Sequence, residues 1–183
     1  MGLLGFLDHW RNPTRAWQED AMLPLIVNLD EDRFCGVASG DPFEKLSFLG
    51  PAQRAGCEFA WPAKGVVVTM WDDCIGELEF YFGHAAAAKH GKFPGSFRYR
   101  GTSLPWSRES TESDVQSMIG PPYWRDEDDH GVLLFYEFPN REWQIEFDLD
   151  GTLKSLLIGD QLLADPEQRA RFCVTKPWPP DDS

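Results

Sequence analysis

Basic side chains are scarce in this chain: 17 lysines and arginines stand against 30 aspartates and glutamates, a formal net charge of −13. A field of that sign repels phosphate backbones and anionic headgroups, so nucleic acid and membrane surfaces are not expected partners, whereas encounter with a basic protein is favoured. Cysteine is sparse too. Cys35, Cys57, Cys74 and Cys173 form no C-x-x-C pair, which excludes a zinc knuckle and a thioredoxin-like redox pair and leaves reduced, buried thiols as the expectation. No apolar run approaches the roughly 20 residues of a membrane helix. Met1–Leu7 is apolar but is followed at once by Asp8, His9 and Arg11; with no basic leader and no cleavage site, a cytoplasmic location is expected. Phe6 stands where a myristoylation motif wants Ser or Thr.

Familiar catalytic motifs are also missing. There is no G-x-S-x-G elbow, and the one G-x-S sequence is Gly101, Thr102, Ser103 before Leu104. Gly36 and Gly40 precede a helix signal without a lysine in the P-loop position, and His84 and His90 are spaced for neither a helical metal pair nor a zinc finger. Neither a cofactor nor a metal site is expected.

What the chain does hold is apolar bulk. A hydrophobic fraction of 42%, with 13 Phe and 8 Trp in 183 residues, can offset chain entropy in one domain or in two small ones. Punctuation then divides it. Asn12 as cap and Pro13 at the first helical position open a helix through Trp17 to about Met22, which Pro24 ends. Leu25–Leu29 reads as extended, and Gly36 to Gly40 as a loop. Asp41 as cap, Pro42, Glu44, Leu46, Leu49 and the Gly50-Pro51 stop spell a second helix. Thr111, Asp114, Val115, Met118, Ile119, Gly120 and Pro121 repeat that grammar, with Asp41, Gly50 and Pro51 each mapping 70 positions on (111 − 41, 120 − 50, 121 − 51).

Three strand-like runs follow each helix: 57–61, 65–71 and 76–82, then 132–138, 142–147 and 152–158. Their links are short, so neighbours should pair antiparallel. The expected fold class is α+β, with two tandem repeats of a short helix followed by an antiparallel three- to four-stranded sheet and the helices packed on one sheet face. Residues 1–40 form an N-terminal helix and extended segment, 41–94 the first repeat, and 95–175 the second. The second repeat takes in a strand at Phe97–Thr102 and a C-terminal helix from Asp165 and Pro166 to about Phe172, and 176–183 are a flexible tail. Alternation splits each sheet: Trp143, Ile145 and Phe147 oppose Glu142, Gln144, Glu146 and Asp148, and Leu78, Phe80 and Phe82 oppose Glu77, Glu79 and Tyr81. The second set of each pair should lie on a wet, acidic face.

The element order of Asp41–Phe82, Thr111–Pro122, Val132–Phe138 and Glu142–Ile158 resembles the tandem units of the β-lactamase inhibitor protein and the related small outer-membrane lipoprotein modules. That resemblance implies a sheet whose exposed face binds protein. The leading expectation is therefore a non-enzymatic protein-binding module, inhibitor-like or immunity-like. Its acidic faces, with Glu77, Glu79, Tyr81, Gln144 and Glu146, would engage a basic protein, and Trp124 would serve as an anchor in a connection. Trp106 and Trp178, also in connections, are further candidates for exposed tryptophans.

Two acidic motifs carry alternatives. Asp148-Leu149-Asp150-Gly151-Thr152 resembles the first motif of haloacid-dehalogenase-like phosphatases, which implies a magnesium-dependent phosphohydrolase using Asp148 and Asp150. The same residues fit a hairpin with positive φ at both central positions, and only about thirty residues remain after Leu153 for the rest of a phosphatase. Asp126 to His130 lacks EF-hand spacing and reads as a solvated loop between Trp124 and the strand at Val132. A third possibility is an accessory structural protein without a specific partner.

Overall fold

Short β-branched and aromatic runs, bounded by residues that tolerate positive φ, decide most of this structure. The computed structural model describes residues 12–83, 90–138 and 141–159, in two compact units, Met1–Pro105 and Trp106–Ser183. The expectations for Met1–Leu7, His84, Asp165–Phe172, Cys173 and the tail from residue 176 lie outside the described residues.

In the first unit, Asn12 caps a four-residue 3-10 turn, Pro13–Ala16, its Oδ1 accepting from the Thr14 N–H at 3.0 Å. The turn stops well short of Met22, because Trp17 is already extended. Strands β1 (Ile26–Asn28) and β2 (Arg33–Phe34) follow, then a 3-10 helix at Phe43–Leu49 that buries Phe43, Leu46 and Leu49. Its cap is Pro42, with no side-chain bond; Asp41 instead accepts from Lys45 Nζ and from the Ala38 N–H, which hold its carboxyl below the usual range. Gly50, at φ 78°, ends it as expected. Next come β3 (Gln53–Ala55), β4 (Glu58–Trp61), β5 (Val66–Trp71), β6 (Cys74–Tyr81), β7 (Ser96–Tyr99) and β8 (Thr102–Leu104).

Strands β3 to β6 pair in sequence order, all antiparallel. The β5–β6 link is a two-residue turn, Asp72 and Asp73 both at positive φ (48° and 65°), and Arg100-Gly101 (50° and 71°) repeats this between β7 and β8. Such turns match the strand twist. A second sheet runs β2-β1-β7-β8, with β1 and β7 parallel through Ile26↔Ser96, Val27↔Phe97 and Asn28↔Arg98. Phe34, Phe80, Phe93 and Phe97 form the core between these layers, with ring centroids 5.1 to 5.9 Å apart.

The second unit opens with α1 (Glu112–Ile119), whose capping box is as the sequence spells it: Thr111 accepts from the Asp114 N–H, and Asp114 from the Thr111 N–H. Strands β9 (Trp124–Asp128), β10 (Gly131–Phe138), β11 (Arg141–Asp148) and β12 (Leu153–Gly159) then pair antiparallel in sequence order. Leu134, Ile145, Leu153 and Leu156 are fully buried.

The α+β reading as tandem helix-plus-sheet repeats is overturned. Among the described residues β-strand predominates and α1 is the one α-helix, and the first unit carries a second sheet with a parallel pair. Capping and Gly-Pro punctuation mark where a helical turn begins and ends. They do not choose between 3-10 and α geometry in a seven-residue segment, nor reveal what pairs with a strand some 70 positions away (96 − 26). The expectation of buried thiols fails as well, since Cys57 is exposed and Cys35 and Cys74 are half-buried free thiols.

Gly131, at φ 146°, lies where an added Cβ would strike the Phe147 carbonyl oxygen across the β10–β11 ladder. Gly131→Ala should lower stability by about 1–3 kcal/mol, read as a lower urea midpoint; an unchanged midpoint would contradict this account of the ladder.

Candidate functional site

Strand β6 sorts its side chains as alternation requires, with Leu78 and Phe80 fully buried and Glu77, Glu79 and Tyr81 half-buried on the opposite face. That face is drier than the sequence suggests. Glu77 stands in register with Thr69 of β5, and Thr69 with Glu58 of β4. Burial pushes the Glu77 carboxyl up from its ordinary value, the Thr69 hydroxyl pulls it partly back, and the negative charge of Glu58 adds to the rise. Glu79 sits opposite Val67, which is itself buried, and Tyr81 stacks on His90 at 4.6 Å.

On β11 the expected face is largely spoken for. Gln144 donates to Glu142 at 2.6 Å, and Glu142 is only 1% exposed, against the expectation of a wet face. Glu146 accepts from Lys154 Nζ at 2.5 Å and from the Ser155 hydroxyl at 3.3 Å. Trp124 is not in a connection: it opens β9 and packs half-buried on Phe135, centroids 5.3 Å apart. Trp106 is buried, and Trp178 lies outside the described residues.

The run from Asp126 is a strand where a loop was expected. Asp126, Glu127 and Asp128 belong to β9 and are exposed, and Asp129 and His130 form the turn into β10, with Asp128 accepting from the His130 and Gly131 N–H groups. Arg125, the single basic residue of β9, is already neutralised: its Nε donates to Glu112 at 2.9 Å and its Nη1 to Glu127 at 2.7 Å, which raises its pKa. The alternation of β9 was hidden by charge, because both of its faces are polar. A usable signal was present in its five-residue antiparallel match to Gly131–Phe135 across a two-residue turn.

Asp148 and Asp150 lie at the β11–β12 hairpin, and both face Arg108, whose Nη2 is 3.7 Å from Asp148 and 3.4 Å from Asp150. Asp150 also accepts from the Thr152 hydroxyl and N–H, and these bonds, reinforced by Arg108, hold its carboxyl below the usual range. Only Gly151 has positive φ (78°), not both central residues, and the Gly151 N–H donates to the Asp148 carbonyl. The motif thus folds as a type I turn with a glycine bulge, its carboxylates aimed at a guanidinium.

A shallow cleft of about 490 Å³ in the first unit, lined by Arg54, Cys57, Phe59 and Met70 among others, had no signal in the sequence. Arg54 there is committed to the Gly56 carbonyl and to the Phe59 ring. Among the described residues no group of three or more His, Cys, Asp or Glu side chains could hold a metal ion, and no helix is long and apolar enough to cross a membrane.

No family model matches the chain, and no curated protein matches it. Among solved structures it is similar to a DUF4309 family protein (YjgB) from Bacillus subtilis, at 15% identity over 67% of this chain and 72% of that chain, with a TM-score of 0.39.

The Glu77 environment has a pH signature. The folded carboxyl titrates above its unfolded value of about 4.5, so between the two values the folded state binds more protons, and stability falls as pH rises through that window. Glu77→Gln should raise the urea midpoint at pH 7 and leave it nearly unchanged at pH 4; an equal change at both pH values would sink the burial account.

Proposed function

We propose that this chain is a non-enzymatic protein-binding module that engages a basic protein, in an inhibitor-like or immunity-like role in the cytoplasm. The observation that carries the reading is the exposed acidity of β9 and of the turn that follows it. Asp126, Asp128 and Asp129 stand in the open, while the one cation of β9 is consumed by Glu112 and Glu127. With a chain charge of −13, such a surface speeds and orients encounter with a cationic partner. The acidic face of β6, with Glu77, Glu79 and Tyr81, supports the same reading more weakly, because it is half-buried. On β11, Gln144 and Glu146 are occupied by internal partners.

Nothing in the geometry favours phosphoryl chemistry at Asp148 and Asp150, whose carboxylates both face Arg108. Catalysis is not needed to account for the acidic surface.

Crosslinked affinity purification from host cells supplies a partner, and titration of that purified partner tests the reading. Asp126→Lys with Asp129→Lys should weaken binding by about tenfold, and affinity should fall steeply with added salt. Glu79→Lys tests the β6 face in parallel. A partner without a basic surface, or an affinity indifferent to salt and to both charge reversals, would remove the proposal.

A further inference from the structure

Strand β9 is the outer strand of its sheet: it pairs with β10 on one side, and no described strand pairs with its other side. A strand in that position offers a row of backbone N–H and C=O groups to any extended chain, and proteins commonly blunt such rows with charged side chains, proline, bulges or extreme shortness. β9 carries charge on four of its five residues, Arg125 to Asp128, and none of the other devices. Its five residues contain no Pro or Lys, and the register from Gly131↔Asp128 to Phe135↔Trp124 is unbroken. By comparison, β3 in the first unit is only three residues long.

The side chains on this edge decide what can pair with it. Arg125 to Asp128 are exposed, and the Arg125 charge is cancelled within the unit. Asp126, Asp128 and Asp129 therefore present like charges that a second copy of the same edge would meet head-on. Like charges opposite one another across a ladder are destabilising, and opposite charges are favourable. Self-pairing is disfavoured by charge, and an incoming cationic strand is favoured. One contact must give way: the Asp126 carboxylate accepts from the Glu127 N–H at 3.1 Å, and a lysine from an incoming strand can draw that carboxylate outward.

We propose that the open edge of β9, Trp124–Asp128, docks an extended lysine- or arginine-rich segment of the partner protein by strand addition. The backbone ladder holds the segment, and Asp126, Asp128 and Asp129 select its charge. This mode of recognition takes its affinity from main-chain bonds and its selectivity from alternate side chains. The inference rests on the basic-partner reading and specifies the surface and the conformation of what is bound.

The test uses the full chain and a capped six-residue peptide alternating lysine with valine, together with two versions N-methylated at every second residue in the two possible phases. A strand pairs on one edge through alternate N–H groups, so one methylated peptide should lose at least about tenfold in affinity while the other binds like the parent. The parent peptide should slow amide hydrogen exchange in residues 124–128, and Asp126→Lys should weaken it. Equal binding by both methylated peptides, slowed exchange elsewhere but not in β9, or no peptide binding at low salt would each overturn strand addition. In any of those cases the basic-partner reading stands if Asp126→Lys still weakens the purified partner, and falls if it does not.

Discussion

Phe80 is the residue on which the first unit turns. Its ring lies 5.1 Å from Phe34, 5.1 Å from Phe93 and 5.9 Å from Phe97, so one side chain of the β3–β6 sheet touches β2, β7 and the segment that leads into β7. Edge-to-face pairs of this kind contribute about 0.5–1.5 kcal/mol each beyond the area they bury. Because all four rings are at most 3% exposed, the cluster also supplies the apolar burial that keeps a two-strand fragment such as β1–β2 attached. The parallel pairing of β1 with β7 depends on it. Three ladder positions joined by a long connection have little stability of their own until Phe34 and Phe97 meet on Phe80.

The same alternation that sends Phe80 inward sends Glu77, Glu79 and Tyr81 outward, and the fate of such carboxylates differs from strand to strand. Glu77 is partly dried between neighbouring strands, and Glu146 is matched by Lys154 and Ser155. On β9, which has one neighbour among the described strands, Asp126 and Asp128 remain exposed. Position in the sheet thus helps distinguish residues of the same type: Glu77 and Glu146, on strands with two neighbours, are drawn inward or matched, whereas Asp126 and Asp128 on the outer strand stay exposed.

Much of the β structure was legible. β5 reads as Val66-Val67-Val68-Thr69, and β11 alternates as Trp143, Ile145 and Phe147 against Gln144 and Glu146. The Thr111 capping box and the Gly50 and Gly120 stops were equally plain, because caps act over three or four residues. Other elements escaped for identifiable reasons. β9 carries charge on both faces, so no apolar period marks it. β2 and β3 are too short for any period. The Phe43–Leu49 segment obeys helix grammar yet settles as 3-10. The candidate site was only half visible: the residue types pointed to an acidic surface, but Glu142, Gln144 and Glu146 look as free in the sequence as Asp126 does.

From the chain alone came the net charge, the strand runs with their inward and outward faces, and the turns that join neighbours, because these depend on residues close in sequence and on steric rules that act locally. Pairing between Ile26–Asn28 and Ser96–Tyr99, the depth of burial of each carboxylate, and the identity of the outer strand were decided only when distant segments packed together. A ladder partner and a dielectric environment are properties of neighbours in space, and no local pattern in the sequence encodes them.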